Sequence, residues 1–166
     1  MRSAATLFVL VAALLAPPPV AASEAAGKSS LYAQKARKRG PTEQPFGRQG
    51  DPRKVKRVIS IDMSDTMRFF PSEVSVKRGD TVRFEVRNIG ELPHEMVIGT
   101  MDDLKKHAAH MKKNGEMHHA DANAAHAAPG KNERITWQFT KSGEFYYACL
   151  VPGHFDAGMI GTIVVR

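Results

Sequence analysis

The fold class this sequence predicts is an all-β sandwich over residues 55–166. Three observations predict it. Thr81–Arg87 alternates strictly, with Val82, Phe84 and Val86 on one face and Arg83, Glu85 and Arg87 on the other. That period of two suits an antiparallel sheet with one buried face. About seven short strand signals recur with turns at near-even spacing. The chain has one cysteine, Cys149, so no internal disulfide is available and the fold must rest on its own core.

Each element has its own warrant. Val55–Ile61 is rich in β-branched residues and partly alternates, and the following stretch, Met63–Phe70, stops at Pro71. Glu73–Lys77 alternates and ends in the turn Arg78-Gly79-Asp80. After Thr81–Arg87, Asn88–Pro93 reads as a loop and His94–Ile98 as a short apolar strand. Residues 101–113 read as a helix, with Asp102 and Asp103 at its start and Lys112 and Lys113 at its end, charges that complement the helix dipole. Asn114-Gly115 ends it, and residues 116–129, polar and Ala-rich, are expected to be irregular. Strands resume at Arg134–Phe139, turn at Lys141–Gly143, continue through Glu144–Cys149 and close with Gly158–Arg166. Met63 and Met67 are expected to fill gaps in the packing.

The N-terminus predicts export. Arg2, the apolar run Ala4–Ala16 and the small residues Val20-Ala21-Ala22 make residues 1–22 a signal peptide; the run is too short to span a bilayer and Pro17–Pro19 interrupts it. No other stretch could span, so no membrane span is expected after cleavage. Residues 23–54 read as a basic, disordered linker, too poor in apolar side chains to offset ordering entropy. The formal charge of +7 belongs to residues 23–57, while residues 58–166 sum to −1. A basic tail on an exported chain argues against a nucleic-acid partner and leaves attraction to anionic headgroups or an acidic protein.

The chemistry is concentrated in Tyr146–Met159, where Cys149, His154 and Met159 stand five residues apart. A thiolate, an imidazole and a weak thioether suit copper cycling between Cu(I) and Cu(II), and the thioether argues against zinc. A free thiol in an oxidising compartment calls for burial or a metal. His94, at a loop–strand junction, supplies the second imidazole. If the ends of the two strands coincide, His94, Cys149 and His154 form a trigonal set with Met159 axial.

Pro93-His94, the aromatic run Phe145-Tyr146-Tyr147, Pro152-Gly153-His154, Gly158-Met159 and the final strand resemble the cupredoxins of the plastocyanin–azurin family. The resemblance covers Val55 to Arg166 and implies a Greek-key β-sandwich with a type 1 copper centre. The Cys-x₄-His-x₄-Met spacing is similar to that of rusticyanin-like members. Many members carry Asn directly after the first histidine, where its amide helps to fix the thiolate loop; here that residue is Glu95. The resemblance also implies that His154 emerges through an apolar partner patch, here Leu150, Val151, Pro152 and Phe155, with Ala157 beside them.

Between His94 and Trp137 lies an insertion, residues 100–128, holding five of the seven histidines. His107, His110, Met111, Met117, His118, His119 and His126 are candidates for secondary, weaker copper binding, since His and Met are the copper-relevant ligands available without cysteine. His107, His110 and Met111 would share a helix face, and Leu104 would face inward if the helix covers the sandwich. An insertion of this kind resembles the periplasmic copper-tolerance cupredoxins of Gram-negative bacteria. It implies copper handling with one-electron redox chemistry and a redox or copper-handling partner protein. The alternative is a soluble electron carrier between redox proteins. No second histidine-rich domain is present to build a trinuclear site, so an enzyme is not expected.

Overall fold

Apolar side chains from nine of ten strands meet between two five-stranded sheets in the computed structural model, which describes residues 41–114 and 121–166. The strands are β1 (Arg48–Gln49), β2 (Val55–Ser64), β3 (Arg68–Phe70), β4 (Glu73–Val76), β5 (Thr81–Asn88), β6 (His94–Gly99), β7 (Ala124–Ala127), β8 (Asn132–Gln138), β9 (Gly143–Ala148) and β10 (Ile160–Val165). One sheet has the order β1-β8-β5-β2-β3, the other β4-β10-β9-β6-β7. β2 runs parallel to β5 and β4 parallel to β10; the other pairs are antiparallel. In β5 the predicted alternation holds: Val82, Phe84 and Val86 are fully buried and the intervening charged residues are not.

Helix α1 (Met101–Asn114) leaves the end of β6 with an N-terminal cap: Thr100 Oγ1 accepts from the Asp103 N–H at 3.2 Å. Its inward stripe is Leu104 and Met111, packed with Val97, Ala148 and Leu150 in a small apolar cluster of their own. The helix therefore covers the outer side of the sheet that carries the chemistry-bearing loop.

Two expectations about order are corrected. Structure begins before Val55. Phe46 is buried, stacks on Trp137 with ring centroids 5.1 Å apart, and accepts a hydrogen bond on its carbonyl from Trp137 Nε1–H at 3.1 Å. β1 then pairs with β8, and the single turn at Pro52–Lys54 is capped by Asp51. One aromatic anchor in a basic stretch is invisible to a composition argument. Residues 124–127, expected to be irregular, form β7 along β6. Ala125 and Ala127 are buried there, so the neighbouring strand, and not any propensity of alanine, makes the strand. Residues 1–40, including the predicted signal peptide and most of the predicted linker, lie outside the described residues, as do Met117, His118 and His119. Among the described residues no helix is long and apolar enough to cross a membrane.

Candidate metal centre

β6 and β9 are adjacent and antiparallel, with Val97 opposite Ala148. That register brings the first residue of β6, His94, to the same end as Cys149, which follows the last residue of β9. The chain then makes a closed loop back to β10. Cys149 N–H donates to the Met159 carbonyl at 3.1 Å, and Met159 N–H donates to the His154 carbonyl at 3.1 Å. His154 N–H donates to Val151 O at 2.9 Å, and Gly158 N–H to Phe155 O at 2.9 Å. Gly153 (φ 90°) and Gly158 (φ 85°) take left-handed conformations that let the loop turn twice within a few residues. Arg68 adds an outside tie, its Nη1 donating to the Ala157 carbonyl at 3.0 Å.

The loop delivers three donor atoms to one point. Cys149 Sγ lies 3.3 Å from His154 Nδ1 and 4.0 Å from His94 Nδ1, and one ligand atom from each residue falls within 4.8 Å of the other two. The imidazole rings tilt at 51° with centroids 4.9 Å apart. Cys149, His94 and Met159 are buried; His154 is partly exposed. Met159 belongs to the same core cluster as Cys149, and its backbone flanks the cysteine.

Burial pushes the Cys149 thiol up to about 12, against the pull of the Glu95 N–H that points at its sulfur. Burial also lowers His154, and the neighbouring His94 ring lowers it further. A neutral imidazole keeps a lone pair for a metal, and the Glu95 and Val151 N–H groups offset only part of the cost of a buried thiolate, which a bound cation would relieve. One soft sulfur with two imidazole nitrogens, enclosed by apolar side chains, is a donor set that fits copper.

Two carboxylates hold this set from behind. Asp65, in the turn between β2 and β3, lies with Oδ1 3.0 Å from His94 Nε2. The backbone N–H of Glu91 first, and then the His94 ring, lower the Asp65 pKa. Glu95, buried, accepts from the Leu150 N–H at 3.0 Å through Oε1 and contacts His126 Nδ1 at 2.7 Å through Oε2. Its own N–H donates to Cys149 Sγ at 3.4 Å. The sequence signal for Glu95 was its place after His94. Asp65, one acid in a turn, carried none.

The described secondary copper candidates, His107, His110, Met111 and His126, are dispersed. His110 is exposed and His107 partly exposed on α1, while His126 sits on β7 against Glu95. Met111 is buried beneath the helix with Leu104 and Leu150, because the stripe that faces the sheet runs through 104 and 111. Among the described residues, His94, Cys149 and His154 form the one group of three or more His, Cys, Asp or Glu donors within ligand distance. The residues of the expected partner patch divide between interior and surface. Leu150 is buried under α1, whereas Val151 and Phe155 are partly exposed and Pro152 exposed. The helix and loop enclose a groove of about 300 Å³ beside Val151, Pro152 and Phe155.

Two sheets closing on a His/Cys/His cluster at one end define a copper-binding β-sandwich. The chain belongs to the plastocyanin/azurin family of copper binding proteins, whose family model matches residues 55–166. It is 52% identical over 122 residues to the copper-resistant cuproprotein CopI of Rubrivivax gelatinosus, covering 74% of each chain. It is 32% identical over 155 residues to the protein of that name in Pseudomonas aeruginosa, covering 74% of this chain and 83% of the other. Among solved structures it is similar to a reduced auracyanin from Roseiflexus castenholzii, with a TM-score of 0.59, 23% identity, and coverage of 68% of this chain and 98% of that one. That likeness establishes the Greek-key cupredoxin fold.

Proposed function

We propose that this is an exported, periplasmic type 1 copper protein that serves copper tolerance. In this reading His94, Cys149 and His154 would hold the metal, and Met159 would add a weaker thioether donor. The observation that carries it is the convergence of two imidazole nitrogens and one thiol sulfur within 4.8 Å at a mostly buried sheet end. Copper held there would supply one-electron chemistry between Cu(II) and Cu(I). The chain's own part is to hold the donors in a closed loop, keep water from the sulfur and leave only His154 at the surface. Relatives named as copper-resistant cuproproteins support tolerance as the purpose.

Residues 1–22 would direct export, and His107, His110, His118, His119 and His126 with Met117 would add weaker copper sites. The alternative, an electron carrier between redox proteins, draws on the groove between α1 and the ligand loop, where Val151, Pro152 and Phe155 could meet a partner. No catalytic role is proposed.

Purified protein loaded with Cu(II) is expected to show an intense visible thiolate-to-copper band, absent in Cys149→Ser. A band that survives Cys149→Ser overturns the site. Deletion in the host is expected to cause copper sensitivity with normal respiration; the reverse pattern favours the carrier. Copper titration above one per chain, falling when His107, His110, His118 and His119 become Ala, is expected if the insertion binds.

A further inference from the structure

His94 presents two different nitrogens to two different neighbours. Nδ1 faces the Cys149 sulfur at 4.0 Å, and Nε2 lies 3.0 Å from Asp65 Oδ1. The His94 side chain is fully buried, so water does not compete for either nitrogen. The Asp65 carboxylate already accepts the Glu91 N–H at 2.7 Å and the Leu92 N–H at 3.2 Å. Both are backbone donors from the loop that leads into His94. An ionised carboxylate only accepts, so the proton of the neutral ring must sit on Nε2 and the lone pair on Nδ1. The arrangement is built into the backbone as well. A Cβ at Gly90 would overlap the Asp65 carboxylate, so glycine at that position is what allows the approach.

We infer that Asp65 is a positioning residue for the copper centre: it fixes the ring tautomer and orientation of His94 and places a negative charge behind that ligand, biasing the site toward Cu(II). The inference rests on the reading of His94 as a copper ligand. A carboxylate behind a metal-bound imidazole raises the ligand's basicity, and loss of such a partner commonly weakens metal binding about 10- to 100-fold. A more basic ligand and a nearby anion both favour the more highly charged oxidation state. Asp65 thereby does two jobs from one turn, closing the loop before His94 and aiming His94 itself.

The test uses the full mature protein with Asp65→Asn, Asp65→Ala and the control Asp80→Asn, whose carboxylate pairs with Lys56 near the start of β5. Asn keeps one acceptor oxygen, enough for the Leu92 N–H and the His94 ring that share Oδ1, but removes the charge and the oxygen that accepts the Glu91 N–H. It is expected to retain the visible copper band while Cu(II) affinity falls about tenfold relative to Cu(I). That ratio corresponds to an upward shift in potential of about 59 mV for a one-electron couple. Asp80→Asn is expected to leave the potential unchanged. In the metal-free protein, nitrogen NMR is expected to find the His94 proton on Nε2 in wild type and a mixture of tautomers in Asp65→Ala. A potential in Asp65→Asn equal to wild type, or a proton on Nδ1 in wild type, overturns the inference while the band keeps the copper reading intact. Loss of the band in wild type itself would instead remove the copper reading. If Asp65→Ala does not fold, Asp65→Asn and the wild-type tautomer still decide the matter.

Discussion

Glu95 Oε1 accepts the Leu150 backbone N–H at 3.0 Å, so the residue after one predicted ligand grips the chain directly after another. The resemblance to the cupredoxins implies an Asn amide at this position, steadying the thiolate loop. A carboxylate performs the acceptor half of that task and leaves its second oxygen for His126 at 2.7 Å. Removing it strands a buried N–H. Glu95→Ala is expected to destabilise the metal-free protein by about 1–3 kcal/mol from that group alone. Glu95→Gln, which keeps an acceptor for Leu150, is expected to lose clearly less. Chemical denaturation of the metal-free variants checks this, and equal losses would show that the Leu150 contact does not matter.

The Cys149 thiol, raised to about 12 by burial, carries its proton at neutral pH in the metal-free protein. Metal binding must therefore expel one proton, and apparent copper affinity is expected to rise about tenfold per pH unit across pH 6–8 once buffer and histidine protonation are corrected for. The stability consequence has the opposite sign. From about 9, where an unfolded thiol ionises, to about 12, the folded chain holds a proton the unfolded chain has lost. Stability of the metal-free protein therefore falls as pH rises through that window, by on the order of 1.4 kcal/mol per pH unit attributable to this group. Cys149→Ser is expected to flatten that limb, as read by thermal unfolding in alkaline buffers.

Much of this architecture was legible because period-two patterns report directly on a buried sheet face. Val82, Phe84 and Val86 show it cleanly, and their burial follows. The donor cluster was legible for a different reason: Cys149 and His154 are close in sequence, and a thiol and an imidazole on one short loop make a set by their chemistry. His94 needed a register between two strands, which the sequence suggested only through loop positions. Asp65 was out of reach, since its partner is 29 residues away and the contact depends on a turn, a loop and Gly90 together. The burial of Leu150 and Met111 was out of reach for one shared reason: α1 lies over the ligand loop, a contact that no local pattern reports.

That packing role for Met111 is separable from metal binding. Met111→Leu conserves volume and is expected to cost less than about 1.5 kcal/mol, with copper stoichiometry unchanged. Met111→Ala opens a cavity beside Leu104 and Leu150 and is expected to cost about 2–5 kcal/mol. Copper titration beside urea unfolding distinguishes the cases. A loss of bound copper in Met111→Leu with stability intact would return Met111 to the ligand list.

Phe46 is the first buried residue among those described, and truncation makes its contribution measurable. Its ring stacks on Trp137 at 5.1 Å and also approaches Phe145, with centroids 6.4 Å apart, so it closes the aromatic end of the core. Gly47, at φ 122°, carries the chain across β8 where a side chain would collide with Gln138 and Trp137. Phe46→Ala removes the stack and leaves the Trp137 surface partly uncovered, with an expected loss of about 3–5 kcal/mol. A chain beginning at residue 41 is expected to match the stability of the mature protein. One beginning at Val55 is expected to lose at least as much as Phe46→Ala, because it also lacks the β1–β8 pairing. Tryptophan fluorescence follows the event directly, since Trp137 is the chain's one tryptophan and its Nε1–H bonds to the Phe46 carbonyl. If the chain starting at Val55 unfolds at the same denaturant concentration as the longer one, the segment is an ornament on the sandwich and the folded unit begins at β2.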